Sequence, residues 1–525
     1  MGTYLNPGNS GFERIRNGEY IDKTGMIGLL NGTINTTRNL TCVSRPRRFG
    51  KSYAAQMLCA YYDKTCESEE LFDGLKISET PEYRKHLNRY DVIYLDMTQV
   101  IGECGREGIV SYIKQTVSDE ISQTYPSVQI DPAFSTTLIN MTAHTGNKIV
   151  MIIDEWDAPI REMPESEREY LEFLRMLFKS SGTTARIFAA GYMTGIFPIK
   201  KNKSQSAISD FQEYTMIKPR IFGTYVGFTE EEVKCLCEKH RLDFEMMRQW
   251  YDGYSFPYVG SVYNPNSVMS AVHERDFDTY WTKTSAVESL MEYIEMDYRG
   301  LQKTIAELIG GIEVGVDADL LSNDVFAIRS AEDVLTRLAH LGYLALDLEK
   351  STLRIPNEEI RREFIKTVRS SDHGETVKRL QECDRLFLDT IEMNEENVAA
   401  QIEKVHAEET SPLHYNKEDS LRSVIKLAYY TYRDHYTQWE ELPSGEGYAD
   451  VVYLPKKDSD WPVLVVELKW NQSAEGAISQ ILRRKYPDSL KGYGSRILLV
   501  GIAYNKEDTP GARKHTCRIM RVSGE

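Results

Sequence analysis

Through the first 225 positions, short, mostly apolar runs alternate with stretches of helical period. Leu40-Thr41-Cys42-Val43, Val92-Ile93-Tyr94-Leu95, Ile149-Val150-Met151-Ile152-Ile153 and the run from Ala185 to Gly191 each predict a strand. A strand apolar at every position has no solvent face, which is the pattern of parallel strands covered on both sides. Helical patterns over 53–62, 108–123 and 167–179 separate these runs, so residues 1–225 predict an α/β sheet. Residues 226–324 read as a helical extension, interrupted by the aromatic turn Trp250-Tyr251-Asp252-Gly253-Tyr254. Over 325–374 the rhythm changes. A helix, 330–341, ends at Gly342 and leads into Tyr343–Asp347, a turn at Glu349-Lys350-Ser351, and Thr352–Pro356. Helix then hairpin predicts a winged-helix-like lid. Residues 375–410 read as a polar helical connector. Residues 411–525 bring two further strands, 447–454 and 463–469, followed by a helix over 477–485.

Composition narrows the classes. A chain of 525 residues exceeds one core and predicts several domains. No apolar run approaches the length of a membrane span. The N-terminus lacks a signal pattern, and the eight scattered cysteines read as reduced core thiols, so the expected compartment is cytoplasmic, with no membrane partner. The net charge of −16 argues against a surface coated for nucleic acid. Its distribution is uneven: residues 411–525 hold 17 Lys/Arg against 15 Asp/Glu, whereas residues 281–410 hold 15 against 27. The near-neutral end predicts a separate domain, and the acidic surroundings of the winged-helix-like segment favour a packing role over DNA binding.

The strand at 40–43 runs into Ser44-Arg45-Pro46-Arg47-Arg48-Phe49-Gly50-Lys51-Ser52, and a helix follows at once. Strand, basic loop ending Gly-Lys-Ser, then helix is the layout of a phosphate-binding P-loop. Backbone N–H groups at the helix start point at the anion, and the lysine reaches its outer phosphates. Arg47, Arg48, Phe49, Gly50, Lys51 and Ser52 are the candidate nucleotide contacts, although Arg45 occupies the place of the usual first glycine. About 100 residues on, Asp154-Glu155 closes the strand 149–153, at the strand end where open α/β sheets bind ligands. In a Walker B reading Asp154 joins Ser52 in a Mg²⁺ shell and Glu155 handles the attacking water. The bland alternative is an acidic strand end capping the next helix, with Asp157 and Pro159 as its start signals. Thr194, expected just beyond the strand that ends at Gly191, is a candidate sensor of the bound nucleotide or else a turn-stabilising threonine.

The last domain carries a second acidic set. Asp450 lies near the start of one predicted strand, and Glu467 and Lys469 share one face of the next. A hairpin would put Asp450 beside Glu467, giving hard oxygen ligands for a divalent ion, with the lysine beside them to orient water or stabilise phosphate charge. Glu418, at the start of a helix over 419–433, and Gln480 on the later helix are accessory candidates. The opposing reading is a surface Glu-x-Lys charge pair. An acid inside a strongly apolar strand weighs against that, because burial is costly without a partner or metal.

Together these motifs resemble bacterial AAA-ATPase-like proteins with a C-terminal PD-(D/E)XK nuclease-superfamily domain. The matching segments are Tyr20-Ile21-Asp22-Lys23-Thr24, Arg45–Ser52, Asp154-Glu155-Trp156-Asp157-Ala158-Pro159-Ile160, Trp250–Tyr254, Leu421–Tyr429, Ala449-Asp450-Val451-Val452 and Val466-Glu467-Leu468-Lys469-Trp470. In such proteins Arg45 belongs to the normal loop pattern, and Ala449 replaces the name-giving proline. The resemblance implies that Asp450, Glu467 and Lys469 form the nuclease triad. The expected fold is therefore α/β throughout: a P-loop NTPase parallel sheet, a helical and winged-helix-like middle, and a restriction-endonuclease-like end. The expected activity is ATP hydrolysis coupled to metal-dependent nucleic-acid cleavage, with ATP and Mg²⁺ as cofactors and Mn²⁺ as the alternative nuclease metal. DNA stands ahead of RNA as partner, and a homo-oligomer is an open option. The competing expectation is an ATP-dependent switch or scaffold whose last domain binds nucleic acid or protein without cutting.

Overall fold

The computed structural model describes residues 2–105, 108–179, 181–199, 201–202, 205–206, 210–281, 301–317, 328–370, 374–409, 425, 429, 436–444, 447–455, 461–483, 490, 496–505 and 513–522; of residues 437–444 and 447–450 it describes the backbone alone. The chain divides into two compact units: Met1–Leu290 with Gly315–Glu363, and Met291–Val314 with Phe364–Glu525.

The first unit is built on five parallel strands: β1 (Leu40–Ser44), β2 (Asp91–Asp96), β3 (Ile149–Asp154), β4 (Phe188–Gly195) and β5 (Gln212–Tyr214), in the spatial order β2-β3-β4-β1-β5. Every residue of β1, β3 and β4 is buried, the polar Thr41, Ser44, Asp154 and Thr194 included, as expected of strands covered on both faces. Helix α1 (Lys51–Tyr62) follows β1 directly. Helix α2 (Ile109–Thr124) buries Ile109, Ile113, Val117 and Ile121, a stripe of strict four-residue spacing. Short helix α3 (Ala158–Glu162) and helix α4 (Glu167–Phe178) come after β3. Ile153, Met193, Ile113, Leu138 and Leu174 belong to one continuous core cluster.

The strand expected over 185–191 starts later. Residues Ser181–Ile187 are helical, and β4 runs from Phe188 to Gly195. Alternating polar and small residues left the boundary illegible, and pairing with β1 and β3 decided it. Thr194 therefore lies inside the strand instead of beyond it.

Beyond the sheet, helices α5 (Glu230–His240), α6 (Phe244–Tyr251) and α7 (Pro265–Glu274) surround a small antiparallel sheet that sequence periodicity does not reveal. Its strands β6 (Phe228–Thr229), β7 (Tyr254–Phe256) and β8 (Gly260–Tyr263) lie in the order β6-β8-β7. Strands of two to four residues are too short to display a period of two. Helix α8 (Ala331–Leu341), capped by Ser330, then leads into the hairpin β9 (Ala345–Asp347) and β10 (Thr352–Arg354). This module rests on the Arg45–Ser52 loop. A Cβ on Gly342 would sit 2.8 Å from Pro46, the Tyr254 hydroxyl donates to the Gly342 carbonyl, and Arg354 donates to the Gly253 carbonyl at 2.7 Å.

The second unit holds a five-stranded mixed sheet in sequence order: β11 (Tyr436–Ser444), β12 (Gly447–Pro455), β13 (Val463–Trp470), β14 (Ile497–Tyr504) and β15 (His515–Arg521). Only β13 and β14 pair in parallel, so a crossover must join them, and helix α11 (Ala474–Arg483) lies in that connection. Alternation divides β13 cleanly. Leu464, Val466 and Leu468 join one core cluster, while Val463 and Val465 join another with Ile478 and Ile481 of α11. The residues expected as a polar connector form helices α9 (Gly374–Ile391) and α10 (Glu395–Glu409). These send Leu386, Phe387, Val398 and Ile402 into the first of those clusters, beside Val451 and Val500. Among the described residues, no helix is long and apolar enough to cross a membrane.

Candidate functional site

Gly50 makes the joint between β1 and α1. Its φ of +89° is left-handed, and its missing Cβ lets the chain turn directly into the helix, leaving the first N–H groups of α1 without helical acceptors. Arg48 also has positive φ, +66°, and its guanidinium donates to the Tyr280 carbonyl at 3.1 Å. Phe49 is buried, with its ring 5.5 Å from that of Tyr254 and 6.5 Å from that of Trp281. Arg45 turns the other way. It is fully buried and donates to the carbonyls of Ser44 (2.8 Å), Tyr214 (3.1 Å) and Phe222 (3.4 Å), with its guanidinium 5.3 Å from the Phe256 ring centre. Burial pulls its pKa down to about 10. The residue in the usual glycine position is thus a strut that ties β1 to β5 and to the turn around Phe222.

In front of this loop lies a cavity of about 420 Å³, within the range of small-molecule sites. Arg48, Phe49, Gly50, Lys51, Ser52 and Glu155 line it near the helix start; Tyr20, Tyr225, Phe228 and Met269 form apolar and aromatic wall elsewhere, with Lys23 among them. Lys23 is fixed by Glu232 at 2.6 Å and by the Thr224 carbonyl at 2.7 Å. Glu232 also completes the capping box of α5 with Thr229. The Tyr20–Thr24 motif is thereby locked: Asp22 accepts from the backbone N–H groups of Thr24 and Lys76.

Register puts Asp154 at the end of β3, one strand removed from β1 because β4 lies between them. Asp154 is buried, and desolvation lifts its pKa to about 7 against an opposing hydrogen bond from Ser52. A buried carboxylate beside a hydroxyl, short of positive charge, fits a divalent cation, whose charge would hold the acid ionised. Glu155 has a left-handed backbone, φ +50°, with its N–H donating to Asp154 Oδ1 at 3.0 Å. Its two carboxylate oxygens face different cations: Lys51 Nζ is 3.2 Å from Oε1, and Arg161 is 3.3 Å from Oε2. Burial would raise this carboxyl, but Lys51 and Arg161, with Arg47 adding a smaller share, hold it below its ordinary value. Lys51 Nζ also donates to the Pro46 carbonyl at 3.1 Å.

Thr194 is fully buried and donates to the Val43 carbonyl at 2.9 Å, while its own carbonyl accepts from the Trp156 N–H at 3.0 Å. It is not among the cavity-lining residues. Sequence reasoning missed Arg161, which binds Glu155 and Asp157 together. The available signal was the i,i+4 spacing of Asp157 and Arg161 across a short helix. It also missed Glu359, which is buried and accepts at 2.7 Å from the N–H groups of both Tyr280 and Trp281, the pair that holds Arg48 and Phe49. No local pattern announces that contact.

In the second unit, Glu467 is 2% exposed on β13. Lys469 donates to Glu467 Oε1 at 3.2 Å and to Gln480 Oε1 at 2.6 Å, and the Gln480 amide also donates to Glu467. Gly501 is the β14 partner of Glu467, and a Cβ there would lie 2.5 Å from the Ala474 carbonyl, so glycine lets α11 come down over this stretch. The β12–β13 register pairs Val451 with Val466, Val452 with Val465 and Tyr453 with Leu464. Continued by one residue beyond its last pair, that register would set Asp450 opposite Glu467. The Asp450 side chain and all of Glu418 lie outside the described residues, as do Arg484 and Lys485. Among the described residues, no group of three or more His, Cys, Asp or Glu side chains is placed to hold a metal.

Residues 7–204 match the model of a family described as predicted AAA-ATPase. That segment is AAA-ATPase-like. It contains the Gly50–Ser52 turn, Asp154-Glu155 and four of the five parallel strands. No curated protein matches the chain. Solved structures with some similarity include Cdc6p from Pyrobaculum aerophilum (11% identity, 66% of this chain and 92% of that one, TM-score 0.24). The Aeropyrum pernix ORC2 protein in ADPNP–ADP complexes gives 11% identity over 67% of this chain and 98% of that one, TM-score 0.28. A signal-transduction ATPase with numerous domains and a tetratricopeptide-repeat sensor from Pyrococcus horikoshii gives 10% identity over 78% and 50%, TM-score 0.26. At these scores the likeness carries no argument about the fold.

Proposed function

We propose that the first unit binds Mg²⁺-ATP and hydrolyses it, and that the second unit is a metal-dependent nuclease acting under ATP control. The observation that carries the first half is the meeting of Lys51 and Glu155 at 3.2 Å on the wall of one cavity. A lysine for the outer phosphates and a carboxylate for water share one site, with Ser52 and Asp154 beside them to hold the cation. When bound, Mg²⁺ supplies charge neutralisation at the phosphates. The chain supplies the rest. The start of α1 offers backbone donors to phosphate oxygens, Lys51 moves from the Pro46 carbonyl and Glu155 to the phosphates, and Glu155 orients the attacking water.

The second half is supported by the register that, continued by one residue, would carry Asp450 across from the buried Glu467, with Lys469 and Gln480 hydrogen-bonded to that carboxylate. Two acids at adjacent strand positions suit a divalent ion, and the lysine suits the charge that develops on a pentacoordinate phosphorus during displacement. The nucleic acid is DNA before RNA, and the module of α8 with its hairpin acts as a winged-helix-like lid on the P-loop. One observation favours the switch or scaffold reading instead: Lys469 and Gln480 already compensate Glu467 without a metal.

Cleavage of single- and double-stranded DNA and RNA with Mg²⁺ or Mn²⁺, with and without ATP, separates the two. Asp450→Ala and Glu467→Ala should abolish metal-dependent cleavage and leave ATP turnover within about threefold, since the two sites belong to separate units and share no residue. Cleavage that survives both substitutions would remove the nuclease assignment, and absence of any cleavage by the wild type would leave the scaffold.

A further inference from the structure

Arg161 belongs to the Glu155 cluster, and neither phosphate chemistry nor the divalent cation explains it. Its side chain is 15% exposed and forked between two acids, 3.0 Å from Asp157 Oδ2 through Nε and 3.3 Å from Glu155 Oε2 through Nη2. The remaining nitrogen, Nη1, is 3.3 Å from Glu162 at the exposed edge. Asp157 itself cannot drift. It is fully buried and accepts from the backbone N–H groups of Ile196 and Phe197, both at 3.1 Å, just beyond the end of β4. Gly195 clears the space, because a Cβ there would lie 2.3 Å from Asp157 Oδ1 and 2.7 Å from the Trp156 ring. A rigid line therefore runs from the end of β4 through Asp157 and Arg161 to one oxygen of Glu155.

Resting on the hydrolysis reading above, we propose that Arg161 is the positioning residue for Glu155 during ATP hydrolysis. In the free protein Lys51 engages Oε1 and Arg161 engages Oε2. ATP draws Lys51 away to the phosphates and frees Oε1 alone. Oε2 stays tethered, so the carboxylate keeps its orientation at the moment it is needed. Water then attacks the γ-phosphorus and gives its proton to Oε1. The new P–O bond forms as the bond to the β-γ bridging oxygen breaks, and ADP leaves with that electron pair. The tether matters because Glu155 stands on a left-handed backbone at the joint between the end of β3 and the start of α3. An untethered carboxylate would follow Lys51 or swing into the cavity, and a displacement of about 1 Å can lower a rate on the order of 100-fold.

The test measures affinity for a non-hydrolysable ATP analogue by calorimetry, together with steady-state kcat, for the full chain and its Arg161→Ala and Arg161→Lys variants. The expected result is that Arg161→Ala keeps analogue affinity within about threefold, while kcat falls about 10- to 100-fold. Lysine, which restores one cation without the fork, should recover part of kcat. An Arg161→Ala enzyme with wild-type kcat overturns the proposal. So does a parallel loss of affinity and kcat that lysine does not relieve, since that marks a purely structural role. Absence of ATP hydrolysis by the wild type defeats the hydrolysis reading itself, and the Arg161 role falls with it.

Discussion

Substituting Glu155 by glutamine separates two effects that the carboxylate exerts on ATP. In the free protein Lys51 Nζ lies 3.2 Å from Glu155 Oε1, and binding phosphate must loosen that pair. Two unit charges at this distance attract by about 5 kcal/mol at an effective dielectric near 20. Rehydration of the carboxylate and the new contacts of the lysine return most of that, leaving a net cost of about 1 kcal/mol, the usual net worth of one hydrogen-bonded contact. Glutamine removes this cost along with a negative charge that faces the anionic ligand. Mg²⁺-ATP should therefore bind about fivefold tighter to Glu155→Gln than to the wild type, because about 1 kcal/mol corresponds to that ratio. The same change removes the group that accepts the proton from water, so kcat should drop about 10²- to 10⁴-fold. Calorimetric titration gives the affinity, and single-turnover phosphate release gives the rate. Weaker binding in the variant would show that Glu155 does not restrain Lys51, and a rate within threefold of the wild type would show that it does not serve the water.

Three further outcomes follow from other parts of the molecule. Arg45→Gly, which would recreate the common P-loop residue, should destabilise the first unit by about 2–4 kcal/mol in urea titration. Buried carbonyls of Ser44, Tyr214 and Phe222 lose their donor, and this outweighs the relief of burying a guanidinium. Glu359 has its pKa raised by burial to about 7, so the folded state holds a proton that the unfolded state has released. Its contribution to stability is full below about pH 4.5 and is lost as pH rises towards 7. Glu359→Gln should flatten the stability profile across that window, as chemical denaturation at pH 5 and pH 8 would reveal. Lys51→Ala should weaken ATP binding at least about 100-fold, whereas Glu155→Gln should not, a contrast readable in one calorimetric series.

The parts of this protein that could be read from its sequence are those in which the deciding residues are neighbours in the chain. Gly50-Lys51-Ser52 before a helix, Asp154-Glu155 at the end of a buried strand, the Ser330-capped helix with its hairpin, and Glu467 within an apolar strand are all local patterns. Local patterns declare themselves because hydrogen bonding and burial impose a period on adjacent residues. Tertiary structure decided the rest. Arg45 stands in the loop like any phosphate-facing arginine, and only the carbonyls of β5 and of the turn at Phe222, more than 160 residues away, turn it inward. The start of β4 depended on its pairing partners, and the sheet β6-β8-β7 on strands too short to carry a period. The tether from Asp157 through Arg161 to Glu155 needed the end of β4 to come under α3. A charge becomes a partner only when the fold removes water from between two groups, and no period along the chain records that distance.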